Sequence, residues 1–520
     1  MKLALDLYSG IGGWTLGMKL SNIENLQSFE WWNEANRTHN INFQTNHQEV
    51  DIRNLDVEKD LNFKTNIDFV VGSPPCTQFS YANRGGDGDI QDGLVDIYKF
   101  LEVVEFLKPK YWAMENVPRV AKIIKHEIEK GSLKRFRKLF SVIEVFDSAD
   151  FGLPQHRKRM IAGDFPVDLL NSYKTQIPKI NFSEVLKSLS AKKTIRDPNY
   201  GFEIPAVDVT ELENEANLTD IETRINRDAK TFHTIYNNMS FPDKLDRPSR
   251  TITATCTRVS RESIIINSSN GFRRLNIREK GVLQGFPLTY QFYGNSYSSK
   301  NKMIGNAVPP ILTYYIFQSM LETKTLELKH PRDSSYFHNI PNEKVKPSKL
   351  GMPNKKYPAS RTFKFAVPHL RFGSGVRFEL SNVAKTKWSF KFFYGSSKNI
   401  KSISLNNDLF KLIEPIILKN KTSNFEVTIN DLIEEYKDYT SKGFQDVWVS
   451  QSENAVAFKF IDLVGSCVNE IVNSINWDKV NDDLIPNIIN EKNKKLTDNK
   501  ESILTGFYLL SLLNTKVLSK

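Results

Sequence analysis

The 520-residue chain reads as an α/β protein followed by an α+β extension, and three stretches carry that prediction. Lys2 to Tyr8 is an apolar run of strand length that meets Ser9-Gly10-Ile11-Gly12-Gly13, then helical spacing from Trp14 to Leu20. Strand, glycine turn and helix is the layout that lets backbone N–H groups and a helix N-terminus approach a nucleotide cofactor. Asp68 to Val71 reads as a second buried strand, stopped by Gly72-Ser-Pro-Pro75, which forbids both helix and further pairing. Tyr111 to Glu115 is a third, ending in Asn116-Val117-Pro118. Beyond residue 360 the pattern changes to alternating strands and then helices.

Composition sets the bounds. Hydrophobic content of 40% and charged content of 25% are ordinary for a globular protein of two to four domains. Three distant cysteines (Cys76, Cys256, Cys467) offer neither a disulfide framework nor a metal cluster, so no metal is expected, and a reducing cytoplasm fits best. The longest apolar stretches, Ile311 to Met320 and Ile503 to Leu513, are too short to span a bilayer. No membrane association is expected. The net charge of +11 suggests a polyanionic partner.

Taken in order, the strand Leu26 to Phe29 ends in Glu30, about twenty residues beyond the glycines, where a carboxylate reaches ribose hydroxyls. Trp31 offers a flat face for an adenine, or a core aromatic. Asp51-Ile52 ends a short extended piece that could meet the adenine amino group or serve as a cap. Cys76 follows the two prolines at the carboxyl end of a strand, where open α/β sheets hold reacting groups. A core thiol needs no such rigid turn, so Cys76 reads as a nucleophile. Tyr81 to Asp92, with Gly85, Gly86 and Gly88, reads as a mobile loop beside it. Asp96 to Lys108 has one apolar helical face. Glu115 lands on the same sheet edge as Cys76. Gln155, Arg157 and Arg159 alternate, and strand geometry would point all three to one place.

In this order the pieces resemble the DNA cytosine-5 methyltransferase family over roughly residues 1–322. Asp6-Leu-Tyr8-Ser-Gly10-Ile-Gly12-Gly13 is similar to the cofactor loop. Glu30-Trp31 and Asp51-Ile52 match the ribose and adenine contacts, Pro75-Cys76 the nucleophile motif, and Glu115-Asn116-Val117 the acid motif. Gln155-x-Arg157-x-Arg159 matches the arginine motif, and Arg247-Pro-Ser-Arg-Thr-Ile-Thr253 the return to the catalytic domain. Leu283-Gln-Gly-Phe-Pro287 and Gly305-Asn306-Ala307-Val-Pro309 match the closing motifs. Tyr8-Ser9 and Ser73-Pro-Pro-Cys-Thr77 depart slightly from the common forms.

The resemblance implies a Rossmann-like, S-adenosylmethionine-dependent domain with a mixed sheet. Its cofactor contacts would be Asp6, Tyr8, Gly10, Gly12, Gly13, Glu30, Trp31, Asp51, Ile52, Pro75, Leu94, Asn306 and Ala307. Its catalytic groups would be Cys76, Glu115, Arg157 and Arg159. Cys76 would add to cytosine C6, its thiolate favoured by the two arginines. Glu115, with a raised pKa, would serve N3 and N4, Arg159 would hold the O2 edge, and Asn116 would orient the Pro-Cys turn. The cytosine must be flipped out of double-stranded DNA. Residues 1–165 and 247–325 would form the catalytic domain, and 166–246 the target-recognition domain. Arg196, Arg224, Arg227, Lys230, His233, Asn237 and Asn238 are able to contact bases or phosphates there. A eukaryotic branch with a similar Tyr-Ser-Gly and Ser-Pro-Pro-Cys acts on tRNA but has little recognition domain, so duplex DNA is favoured over RNA. A restriction-modification or phage-defence setting follows from the resemblance, with defence-system partner proteins and a monomeric enzyme.

Residues 326–357 read as a linker and 358–520 as an extension without a family. Between 331 and 400 there are 14 basic and 3 acidic residues, which equals the whole basic excess of the chain. Basic and aromatic residues alternate, which suits either nucleic-acid contact or a sheet with one wet face. Glu435-Tyr-Lys437 resembles half of a nuclease site, but no convincing upstream Pro-Asp partner accompanies it.

Overall fold

The computed structural model describes residues 2–79, 89–231, 239–351, 357–373, 375–384, 386–396, 399–421, 425–450, 456–481, 483–491 and 494–519. Most of the glycine-rich stretch after Cys76, together with His233, Asn237 and Asn238, lies outside these. Two compact units are present. Met1–Glu215, Asp243–Arg258 and Glu262–Gly351 make the first, and Ala216–Pro242, Val259–Arg261 and Met352–Lys520 the second. No helix among the described residues is long and apolar enough to cross a membrane.

The first unit is built on β1 (Lys2–Leu7), β2 (Ile23–Phe29), β3 (Phe69–Gly72), β4 (Tyr111–Asn116), β5 (Val142–Asp147) and β6 (Lys158–Asp164). The order is β2-β1-β3-β4-β6-β5. The pairs β1–β2, β1–β3 and β3–β4 are parallel, and β6 runs antiparallel to both β4 and β5. This is the expected mixed sheet. Alternation along the strands feeds two separate cores. Ala4, Phe69, Val71 and Ala113 face α1 (Gly13–Leu20) and α7 (Pro310–Met320). Leu5, Val70, Trp112 and Met114 face α3 (Ile90–Leu107) and α4 (Arg119–Lys130). A sheet buried on both sides reads as continuous apolar runs, as these strands do. Of the remaining helices used below, α2 is Asn33–Phe43, α5 is Ile277–Leu283 and α6 is Tyr297–Asn306.

Between α2 and Asp51 no strand forms. Only the isolated bridge Glu30–Glu49 is present, and Asp51 caps the short turn Ile52–Asn54. The stretch 166–246 is shared between the two units. Asp197 ties its first part to residue 288 of the first unit: its carboxylate accepts from the N–H groups of Asn199, Tyr200 and Leu288. The later helix, Asp220–Thr231, buries Ile225 in the second core and pairs Arg224 with Asp462. Arg224 and Lys230, two of the residues able to contact bases or phosphates, are therefore engaged internally; Lys230 is fully buried beside Asn226.

The second unit holds a four-stranded antiparallel sheet: β7 (Lys364–Gly373), β8 (Val376–Val383), β9 (Lys387–Ser396) and β10 (Asn399–Ser404). Three of these follow the alternation in the sequence; β10 carries too little apolar contrast to be read. Phe378, Leu380, Phe390 and Phe392 form its packed face, with Phe507 meeting Phe392 at 5.0 Å. On the other face Arg377 and Glu379 are buried as an ion pair, with the Arg377 guanidinium 4.7 Å from the Phe393 ring centroid. Part of the expected wet basic face is thus interior.

Candidate active site

The glycine turn begins where β1 ends. Tyr8, Gly10 and Gly12 all have positive φ (56°, 54° and 83°), which folds the chain back over the strand end. At Gly12 a Cβ would lie 2.3 Å from the Phe43 ring, and at Gly13 one would lie 2.2 Å from the Val308 carbonyl oxygen. The Gly10 N–H donates to Glu30 Oε2 at 2.8 Å and the Trp32 N–H to Glu30 Oε1 at 2.7 Å. Burial raises the Glu30 carboxyl above its ordinary range, against the pull of these N–H groups. Trp31 beside it is 64% exposed. Asp51 is exposed at its turn, while Ile52 and Leu94 are buried.

Asp6 faces α1 rather than the open end of the turn. It is fully buried and accepts from Thr15 Oγ1 at 2.8 Å, and Thr15 in turn lies 3.0 Å from His39 Nε2. Burial pushes the Asp6 carboxyl up to about 8 and the His39 imidazole down to about 3, so both are neutral at neutral pH. Asp6 therefore holds the turn from beneath, through α1.

The turn that bears Cys76 is fixed from three directions. The Ser73 N–H donates to the Leu7 carbonyl at 3.1 Å, Trp14 Nε1 donates to Ser73 Oγ at 3.1 Å, and Asn116 Nδ2 donates to the Pro74 carbonyl at 3.0 Å. Pro75 and Cys76 follow, partly exposed, and the Phe79 N–H closes the turn on the Cys76 carbonyl at 3.0 Å. Sequence reasoning missed Trp14 and Ser73, whose only signal is their place beside known turns.

Burial is the largest influence on the Cys76 thiol and pushes it up; the charge of Glu115 adds to the rise, while Arg159 and Arg157 pull it back. Both arginines thus pull the thiol toward the thiolate, as expected, but desolvation outweighs them. Glu115, buried on β4, is paired with Arg159 Nε at 2.8 Å.

The three residues of the arginine stretch do not share a direction. β6 starts only at Lys158, so Gln155 lies outside the strand. Its side chain accepts from the Ile252 N–H at 2.9 Å and donates to the Leu283 carbonyl at 3.0 Å. Arg157 is fully buried, and Nη1 and Nη2 donate to the carbonyls of Ile252, Gly305 and Ala307 at 2.8–3.0 Å. Both side chains pin the returning chain, and Ala307 is buried while Asn306 is exposed. Only Arg159 turns to Glu115.

Type II methyltransferases are among the chain's relatives, matched along most of their lengths. M.FnuDI of Fusobacterium nucleatum is 27% identical over 344 residues, covering 62% of this chain and 95% of that enzyme. M.HindV of Haemophilus influenzae is 30% identical over 328 residues, covering 61% and 95%. M1.HphI of Haemophilus parahaemolyticus is 27% identical over 348 residues, covering 62% and 87%. The profile of C-5 cytosine-specific DNA methylases matches residues 3–322, the stretch that builds the mixed sheet, the Pro-Cys turn and the Glu115–Arg159 pair. The chain belongs to that family and is a DNA (cytosine-5) methyltransferase.

Proposed function

We propose that the protein transfers a methyl group from S-adenosylmethionine to C5 of a cytosine flipped out of a specific duplex sequence. The single observation that carries this reading is the position of Cys76, at the end of β3 beside the Glu115–Arg159 pair and tied through Ser73 to the end of β1. The glycine turn suits the cofactor. A Cβ at Gly10 would meet nothing within 4 Å, so the turn is open above its backbone. Ser9 Oγ is buried there without a partner, and Trp31 leaves a flat ring exposed beside Glu30. Bound S-adenosylmethionine supplies an electrophilic methyl group.

Cytosine C5 is too weak a nucleophile to take that group unaided. Cys76 gives up its proton and its sulfur bonds to C6, which makes C5 electron-rich. Glu115 in its acid form hydrogen-bonds N3 and reads N4, which requires the Arg159 pair to open. Arg159 is then free to hold O2. Arg157, whose outer nitrogens are spent on backbone carbonyls, acts as a positioning residue for the segment around Ala307. Asn116 keeps Pro74, and hence Cys76, at a fixed height above the sheet. After transfer a base removes the C5 proton, the C5–C6 double bond re-forms and the Cys76 sulfur leaves as a thiolate. Residues 166–246 read the target in duplex DNA, and the enzyme works as a cytoplasmic monomer that protects host DNA in a restriction-modification system.

Bisulfite sequencing of DNA from cells expressing the full chain tests the reading. It should reveal 5-methylcytosine in one sequence context, absent with Cys76→Ala. Tritiated methyl label appearing on tRNA and not on duplex DNA would overturn the substrate assignment.

A further inference from the structure

Helix α3 carries two carboxylates one turn apart, and together they tie three of the turns described above. Asp96 is buried and accepts from the Tyr8 hydroxyl at 3.3 Å, from Arg53 Nε at 2.9 Å and from Arg53 Nη2 at 2.7 Å. Asp92 accepts from Arg53 Nη1 at 2.8 Å and from Gln78 Nε2 at 3.0 Å. Gln78 Oε1 accepts in turn from the Asp89 N–H at 3.1 Å. Tyr8 lies in the glycine turn, Arg53 directly follows Asp51-Ile52, and Gln78 lies two residues beyond Cys76. One set of side chains therefore joins both sides of the cofactor turn region to the nucleophile turn.

An exposed ion pair is ordinarily worth little. This one differs in geometry. The planar guanidinium of Arg53 is forked across both carboxylates, so a shift at one loosens its fit to the other. Gln78 then passes the Asp92 position to the turn closed by the Phe79 N–H on the Cys76 carbonyl.

Resting on the functional reading above, we propose that Arg53, Asp92 and Asp96 are positioning residues that couple occupancy of the cofactor turns to the placement of Cys76. Contacts made by a ligand at Tyr8 or at Asp51-Ile52 bias Arg53. Arg53 sets Asp92, and Asp92 sets Gln78 and the turn bearing the thiol.

The test uses the full chain, S-adenosylhomocysteine as the probe, and iodoacetamide labelling of Cys76 followed by peptide mass spectrometry. Cys256 and Cys467 are buried and serve as internal references. In the wild-type chain the probe should change the Cys76 labelling rate by about fivefold or more. Asp92→Ala should bind the probe with a Kd within about twofold of wild type, because Arg53 keeps its fork on Asp96, yet lose the change in labelling rate. Gln78→Ala should behave alike, and the double variant should be no worse than either single one. Arg53→Ala should weaken probe binding about tenfold as well, and Arg53→Lys should not restore coupling, since one ammonium cannot span both carboxylates. A labelling change that persists undiminished in Asp92→Ala and Gln78→Ala means the probe merely covers the thiol, which overturns the proposal. So does a wild-type chain that binds the probe with no change in labelling. A wild-type chain that does not bind the probe at all brings down the functional reading, and this inference with it.

Discussion

Two cysteines of the catalytic unit stand in opposite settings. Cys76 sits at a strand end, partly open, with its thiol pushed up by burial and by the Glu115 charge. Cys256 is buried, 3.1 Å from Lys280 Nζ and 3.2 Å from Ser263 Oγ, and these neighbours pull its thiol below the ordinary value in spite of burial. The more acidic thiol is therefore the one packed among structural groups. Lys280 also donates to Asn301 Oδ1 at 2.7 Å, and Asn301 Nδ2 to the Ala254 carbonyl at 2.8 Å, so the Cys256 cluster ties α5 and α6 to the returning chain. On the reading proposed above, position and access would mark Cys76 as the nucleophile, and resting acidity would not.

The widest break in that comparison is activity. Cys76→Ala should lose methyl transfer to duplex DNA by about a thousandfold or more, while Cys256→Ser should stay within about threefold, both read with tritiated methyl. Equal losses would erase the distinction. Glu115→Gln should lower transfer by about a hundredfold or more. The same change should speed iodoacetamide labelling of Cys76 near neutral pH, because one of the two influences raising its thiol is gone. Slower labelling in that variant would remove Glu115 from the account of the thiol.

The pH profile gives a smaller effect with a definite sign. A raised thiol pKa means less thiolate at neutral pH, so labelling of Cys76 should keep climbing with pH beyond the midpoint of a free cysteine, about 8.5. A plateau below that midpoint would show that the arginines prevail after all. Least in size, Lys280→Met should leave methyl transfer within about threefold but cost about 1–3 kcal/mol in urea unfolding, because the buried Asn301 Oδ1 loses its donor. An unchanged midpoint would mean the cluster contributes nothing to holding the returning chain.

The sequence made the reacting edge legible because the signals there are local. Glycines at 10, 12 and 13 and prolines at 74 and 75 dictate turns within a few residues, whatever surrounds them. The arginine stretch was misread for the opposite reason. Alternation at 155, 157 and 159 presumes a strand, yet β6 begins at Lys158, and the partners of Gln155 and Arg157 arrive about a hundred or more residues later. Charge near the second sheet misled similarly: Arg377 looks like a surface residue in sequence and is buried against Glu379 and Phe393. The Arg53–Asp92–Gln78 link was invisible because none of its members belongs to a motif. Solvation of the thiol is a property of the assembled walls, and no spacing encodes it.

The close fit of α1 against α7 bears on the order of events at the ribosome. Gly13 and Gly17 leave room for Val308 and Thr313, whose hydroxyl donates to the Gly13 carbonyl at 2.9 Å. Residues 13 and 17 thus emerge long before the partner that braces them has been translated. Earlier segments can fold as they exit, but the support behind the glycine turn is finished only once synthesis has passed residue 313.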